Sequence, residues 1–161
     1  MRKLKIYFDT TVISHLDQQD APEKMADTQR LWEKVKAGMF DVVLSNVDFE
    51  ELLECSPEKR ATLANYLAQI SYARIEVDQD MLRIAGKIID LGILRQKSFD
   101  DCQHIAAAIV SGCDAIVSWN FKHIVNHKTM QGVKAITALE GYADLLIYTP
   151  SALIGGEDDD E

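Results

Sequence analysis

Five short apolar runs alternate with amphipathic stretches along this chain, and few folds survive that constraint. The runs lie at 4–9, 41–44, 73–77, 114–118 and 145–148, each of strand length. The segments between them carry apolar residues at helical spacing. Strands separated by helices do not close as hairpins; they pair in parallel and are covered by helices on both faces. The expectation is an α/β fold around a short, mostly parallel sheet.

The first run sets the pattern. Leu4, Ile6 and Phe8 alternate with Lys3, Lys5 and Tyr7, and the strand stops on Asp9 before Thr10-Thr11. Pro22-Glu23 opens a helix with Met25, Leu31, Trp32 and Val35 on its apolar face, closed by Gly38. A helix over 47–55 follows the second run, and Ser56-Pro57 breaks it to begin another carrying Leu63, Tyr66, Leu67 and Ile70. Met81, Leu82, Ile84, Ala85, Ile88 and Ile89 form a strongly amphipathic helix that stops near Gly92. Ser98 starts the most apolar helix, which runs through Cys102 to Val110 and ends at Gly112. A last helix spans 126–139, and Thr149-Pro150 begins a terminal turn.

Composition bounds the classes. A chain of 161 residues reads as one domain, over 1–154, with an acidic, disordered tail over 155–161. Residues 157–161 supply five of the nine excess negative charges, so the body is only mildly acidic and any nucleic-acid contact must be local. Cys55, Cys102 and Cys113 lack metal-type spacing and, being odd in number, do not form a disulfide framework. No apolar run approaches a membrane span, and the first residues enter a strand rather than a secretory segment, so a cytoplasmic location is expected.

Chemistry concentrates in a few acids. Asp9 ends the first strand, where parallel sheets place their sites. Glu51 lies about a turn into the helix after the second strand, and Asp101 in the first turn of the apolar helix. Asn120 follows the strand that stops at Ser118. Carboxylates gathered in one crevice repel unless a cation neutralises them. Oxygen donors with few histidines suit Mg²⁺ or Mn²⁺ rather than zinc. Each residue also has a plainer role: Asp9 and Asp101 can cap or favour helix starts, and Glu50, Glu51 and Glu54 can be a solvated face. His104 can be a satisfied core histidine, and Thr10, Ser118 and Asn120 ordinary loop residues.

Taken together, Asp9-Thr10-Thr11, the Ser45-to-Glu51 spacing with Leu52, the run from Asp101 through His104 to Ala108, and Ser118-Trp119-Asn120-Phe121-Lys122-His123 resemble the PIN-domain family of VapC-type toxin ribonucleases. The match runs in the family's order from residue 4 to about 154. The resemblance implies a three-layer α/β/α sandwich and a Mg²⁺- or Mn²⁺-dependent endoribonuclease. Asp9, Glu51 and Asp101 would be its catalytic metal ligands, with Thr10, Thr11, Ser118 and His104 in support. The family often has a fourth acid where Asn120 stands, which here would offer an oxygen without charge. Glu50 and Asp100 are neighbouring candidates that fit the spacing less well.

RNA is the substrate this implies. Lys122 and His123, and beyond them Lys87, Arg95 and Lys97, are candidate phosphate contacts or simply solvated cations. Toxins of the family pair with a small antitoxin and commonly dimerise, so both partners are expectations here. Two rivals remain. A haloacid-dehalogenase-like phosphohydrolase also begins on a strand-end Asp, but its acidic pair should follow the Ser rather than precede it, as Asp100-Asp101 precede Ser118. A catalytically silent PIN-like interaction module fits Asn120 and the acidic body.

Overall fold

The computed structural model describes residues 2–155; all but the first residue of the acidic tail expected over 155–161 lies outside them. Strands β1 (Leu4–Phe8), β2 (Phe40–Ser45), β3 (Ala73–Ile75), β4 (Ala115–Val117) and β5 (Leu146–Tyr148) form one sheet in the order β3-β2-β1-β4-β5. All four pairings are parallel. Helices α1 (Thr10–Ser14), α2 (Pro22–Lys36), α3 (Asn46–Leu52), α4 (Pro57–Leu67), α5 (Gln79–Asp90), α6 (Phe99–Val110) and α7 (His127–Glu140) supply the connections. Among the described residues no helix is long and apolar enough to cross a membrane.

Period-two alternation divides the sheet's side chains between two cores. Ile6, Phe8, Val42, Leu44, Ala115 and Val117 pack with Val12, Leu31, Trp32 and Leu63 from α1, α2 and α4. Tyr7, Val43, Ile116 and Ile147 point the other way, onto Ile84 and Ile88 of α5, Ile105 and Ile109 of α6, and Val133 and Ile136 of α7. The result is the expected three-layer α/β/α arrangement. Helix α6 lies against the sheet centre with Cys102 through Ala108 almost wholly buried except Gln103, which is why it carries so little polar surface.

Boundaries shift where caps compete with strands. The first strand ends at Phe8, and Asp9 becomes the N-cap of the short helix α1, accepting from the amides of Thr11 and Val12. Helix α3 starts at Asn46, because the Ser45 hydroxyl accepts from Val47 N at 3.2 Å while the Asp48 carboxylate accepts from Ser45 N at 3.0 Å. This reciprocal pairing is a capping box. The helix expected to continue to Cys55 stops at Leu52.

Strand order reverses on the two sides of β1: the chain moves outward through β2 and β3, then returns to the other edge through β4 and β5. The crevice outside the carboxyl ends of such strands is where open α/β sheets bind ligands. Phe8 pairs with Val117 there, so Asp9 and Ser118 leave their strands side by side.

Candidate active site

Asp9 sits at that reversal and is 1% exposed. Its Oδ1 accepts from the Thr11 hydroxyl at 2.6 Å and its Oδ2 from the Ser118 hydroxyl at 2.5 Å. The loop after β4 is tied to the same groups: Trp119 N donates to the Thr11 hydroxyl at 2.9 Å, and Asn120 N to the Ser118 hydroxyl at 2.9 Å. Thr11 and Ser118 are thus not idle loop residues; they hold Asp9 in one orientation. Burial raises the Asp9 pKa, and the charge of His104 with the two hydroxyl bonds pulls against that rise.

A second network runs from β1 into α3 and α6. The buried Tyr7 hydroxyl lies 2.6 Å from Ser45 Oγ and 2.7 Å from His104 Nδ1. His104 Nε2 lies 2.6 Å from Glu51 Oε1. The Thr10 hydroxyl donates to Glu51 Oε1 at 2.6 Å and stands 3.2 Å from Asp48 Oδ1. Burial opposes charge on the His104 imidazole, but its bond to Glu51 and the charges of Asp48 and Asp9 outweigh that and lift its pKa to about 9. Burial likewise works to raise Glu51, yet the His104 bond and charge and the Thr10 bond hold its carboxyl below the ordinary value. Asp48, fully buried, is pushed up to about 7 by burial in spite of His104.

Asp101 forms the third station. Its Oδ2 lies 2.8 Å from His123 Nδ1, and Asn120 Nδ2 approaches its Oδ1 at 3.4 Å. Burial raises the Asp101 pKa; the His123 bond resists, and the charge of Glu51 adds to the rise. The charge of Asp101 in turn adds to the rise at Asp9. Asp101 therefore senses the charge of Glu51, and Asp9 that of Asp101.

Several expectations change at this level. Asn120 turns its oxygen inward: Oδ1 accepts from His123 N at 3.0 Å, leaving the amide nitrogen toward Asp101. In this arrangement it donates to the acid rather than offering a ligand oxygen. His123, a candidate phosphate contact, is engaged with Asp101. Lys87 is paired with Glu140, the last residue of α7, at 3.5 Å. Lys122, Arg95 and Lys97 remain exposed. Glu50 and Asp100 face outward, bonded to Asn46 and Gln103, whereas Glu51 and Asp101 face inward.

Two members were not singled out from sequence. Asp48 is 0% exposed; its Ser45-x-x-Asp48 spacing is visible as a capping box, but a cap is normally solvated. Tyr7 alternates onto the α6 face, and only its meeting with His104, 97 positions away, gives it a role.

Positive charge among these groups comes from His104, whose pKa is lifted to about 9. Among the described residues no three Asp, Glu, His or Cys side chains are placed to share one metal ion. The donor chemistry of Asp9, Glu51 and Asp101 nonetheless fits a hard cation: all are carboxylates, and two have pKa values raised by burial. Hydroxyls and imidazoles now occupy those oxygens.

Among family models and curated proteins nothing matches the chain. Solved structures do. VapC20 of Mycobacterium tuberculosis, described as a toxin cleaving the sarcin-ricin loop, superposes with a TM-score of 0.56 at 16% identity, covering 86% of this chain and 97% of that one. VapBC2 of Rickettsia felis, crystallised on a DNA fragment from its promoter, gives a TM-score of 0.55 at 10% identity, covering 91% of this chain and 98% of that one. The chain has the fold of these VapC-type, PIN-domain proteins.

Proposed function

We propose that this chain is an endoribonuclease of the PIN type, hydrolysing RNA phosphodiester bonds with Mg²⁺ or Mn²⁺, and the toxin of a pair with a small antitoxin. The observation that carries the reading is the set of Asp9, Glu51 and Asp101, linked through the charge of Asp101, beside the sheet's reversal point, on a fold shared with a sarcin-ricin-loop-cleaving toxin. Asp9, Glu51 and Asp101 would hold the ion, which supplies activation of water and stabilisation of charge on the phosphate. The chain's own groups do the positioning. Thr11 and Ser118 orient Asp9, Thr10 and His104 orient Glu51, and His123 with Asn120 orients Asp101. Burial of Asp9, Ser118 and His104 keeps water from screening their contacts.

The test is cleavage of a mixed RNA substrate with Mn²⁺, comparing the parent with Asp9→Asn and Asp101→Asn, each checked for native circular dichroism. Loss of cutting in both folded variants is expected. Cutting at the parent rate by either would overturn the assignment.

A second reading, a silent interaction module on the same fold, draws on the Asn120 orientation and on acids already bonded to histidines. Calorimetric titration with Mn²⁺ separates the two. The nuclease reading expects binding that Asp9→Asn abolishes, and the silent module expects none.

A further inference from the structure

Helix α2 carries a hydroxyl on its buried stripe. Its buried residues are Thr28, Leu31, Trp32 and Val35, and Thr28 is 0% exposed. A buried threonine in mid-helix loses side-chain freedom and hydration, a cost offset only where its hydroxyl is well bonded. The Thr28 hydroxyl donates to Lys24 O at 2.6 Å, one turn back, and accepts from Trp119 Nε1 at 2.8 Å. An indole has one N–H to give, and when buried it needs a fixed acceptor. Thr28 supplies that acceptor from 91 positions away.

The same helix grips the face of the ring. Lys24 Nζ stands 5.7 Å from the centroid of the Trp119 ring and 5.2 Å from that of Phe121, within cation–π range. The His15 ring approaches Trp119 at 6.0 Å, and Trp119 is only 7% exposed. With its ring held, its backbone is held too. Trp119 N donates to the Thr11 hydroxyl at 2.9 Å, and that hydroxyl donates to Asp9 Oδ1 at 2.6 Å. Its neighbours serve the other oxygen: the Ser118 hydroxyl donates to Asp9 Oδ2 and accepts from Asn120 N. Each hydroxyl that reaches Asp9 thus takes its direction from an amide of the loop after β4, which fills a lone pair and leaves the proton for the carboxylate.

We infer that Thr28 is a positioning residue for Asp9, acting through the Trp119 indole, which fixes the loop after β4 and with it the Thr11 and Ser118 hydroxyls. The inference rests on the nuclease reading only where cleavage is measured. Among the described residues the Thr28 hydroxyl bonds Lys24 O and Trp119 Nε1 alone, so its effect on Asp9 travels through the indole. A carboxylate that must meet a reacting group in line tolerates little displacement, which is why a bond this far from the acid matters.

Thr28→Val removes the hydroxyl at nearly constant volume, Thr28→Ser returns it, and Trp119→Phe removes the indole N–H; circular dichroism checks that each folds. Hydrogen exchange followed by NMR reads the contact directly, because the chain has two tryptophans. The Trp32 indole, bonded to Tyr66 O at 3.0 Å, is the internal reference. In Thr28→Val the Trp119 indole and the amides of residues 119 and 120 should exchange about tenfold faster, with Trp32 as in the parent. In Mn²⁺-dependent RNA cleavage, Thr28→Val and Trp119→Phe should each lower kcat about tenfold with KM unchanged. The double variant should be no worse than either single one, and Thr28→Ser should restore the parent's rate. Thr62→Val removes from α4 a hydroxyl that also bonds one turn back, to Glu58 O at 3.2 Å, without holding an indole, and should match the parent.

The inference is overturned if folded Thr28→Val keeps the parent's exchange at those three groups, if its loss of kcat and that of Trp119→Phe add in full in the double variant, or if serine does not restore the rate. Should Thr28→Val fail to fold, Trp119→Phe decides: faster exchange at the amides of residues 119 and 120 supports the inference, and unchanged exchange overturns it. If the parent cuts no RNA, the nuclease reading fails and exchange alone judges the role of Thr28. Equal cutting by the parent and by folded Thr28→Val defeats that role and leaves the nuclease reading standing.

Discussion

Replacing His104 with Gln tests whether a buried imidazolium holds the crevice together. His104 is 1% exposed, with Nε2 at 2.6 Å from Glu51 Oε1 and Nδ1 at 3.9 Å from Asp48 Oδ1. Burial alone would keep the ring neutral; the Glu51 bond and the neighbouring acids lift its pKa from 6.5 to about 9. That rise corresponds to about 3 kcal/mol of stability held by the protonated ring. Because the folded value lies above the unfolded one, the contribution is fully present below pH 6.5 and disappears as pH climbs through about 9. Gln keeps an amide able to bond Glu51 or Tyr7 but carries no charge.

Urea unfolding of parent and variant, followed by circular dichroism, should therefore give a difference of about 3 kcal/mol near pH 6, shrinking to about 1 kcal/mol or less near pH 10. In a chain of this size the low-pH loss would lower Tm by about 6–12 °C. Asp48 caps the loss: burial has already pushed its pKa up to about 7, so in the variant it takes up a proton near pH 6 rather than remain an unpaired buried charge. A difference equal at both pH values would refute the reasoning, because a neutral histidine acting through shape has no such window.

Three further outcomes follow from the same geometry. Tyr7→Phe strips the hydroxyl that lies 2.6 Å from Ser45 Oγ and 2.7 Å from His104 Nδ1, and should cost about 1–3 kcal/mol in urea unfolding through the buried partners left behind; a neutral substitution would show that water replaces it. Gly132→Ala places a Cβ 2.5 Å from Ile93 Cδ1 and Cγ1. Overpacking of about 1–3 kcal/mol set against about 1 kcal/mol of helix propensity predicts a lower Tm, and a higher Tm would mean that Ile93 moves freely. Mn²⁺ should raise the parent's Tm more near pH 9 than near pH 6, since an ion competes with the protons on Asp48, whose pKa is about 7, and His104, whose pKa is about 9; no shift at either pH would count against a metal site.

The layered sheet was legible because parallel strands buried on both faces must read as short apolar runs, and β1, β2 and β4 do. Helix α1 was not, since five residues from Thr10 to Ser14 are too few for a periodic signal, and the cap at Asp9 looks identical to a strand-end acid. The preference for Glu51 over Glu50 came from the spacing that the family resemblance implies; on α3 Glu51 bonds inward to Thr10 and His104, and Glu50 bonds outward to Asn46. Asp48 escaped notice because its capping-box partner Ser45 explains its presence completely at the level of sequence. Its burial arises only when α6 brings His104 alongside. The turn of Asn120 toward His123 N is a loop-scale hydrogen bond, set by the path of residues 120–123 and invisible to residue type alone.

That a histidine, His104, and not a lysine or arginine balances Glu51 has a chemical consequence. A lysine ammonium or an arginine guanidinium beside Glu51 would be a permanent charge, and an incoming cation would have to displace the whole side chain. An imidazolium can give up its proton and stay where it is, still hydrogen-bonded through one nitrogen. His104 can thus balance Glu51 and Asp48 as an imidazolium and would have a proton to give up if an ion were bound, with Tyr7, Thr10, Thr11 and Ser118 keeping the oxygens in place. The acids being bonded to the chain's own groups is therefore compatible with a site that exchanges protons for a metal. The pH dependence of the Mn²⁺ effect on Tm is the quantity that separates such a site from one whose ion pairs are merely structural.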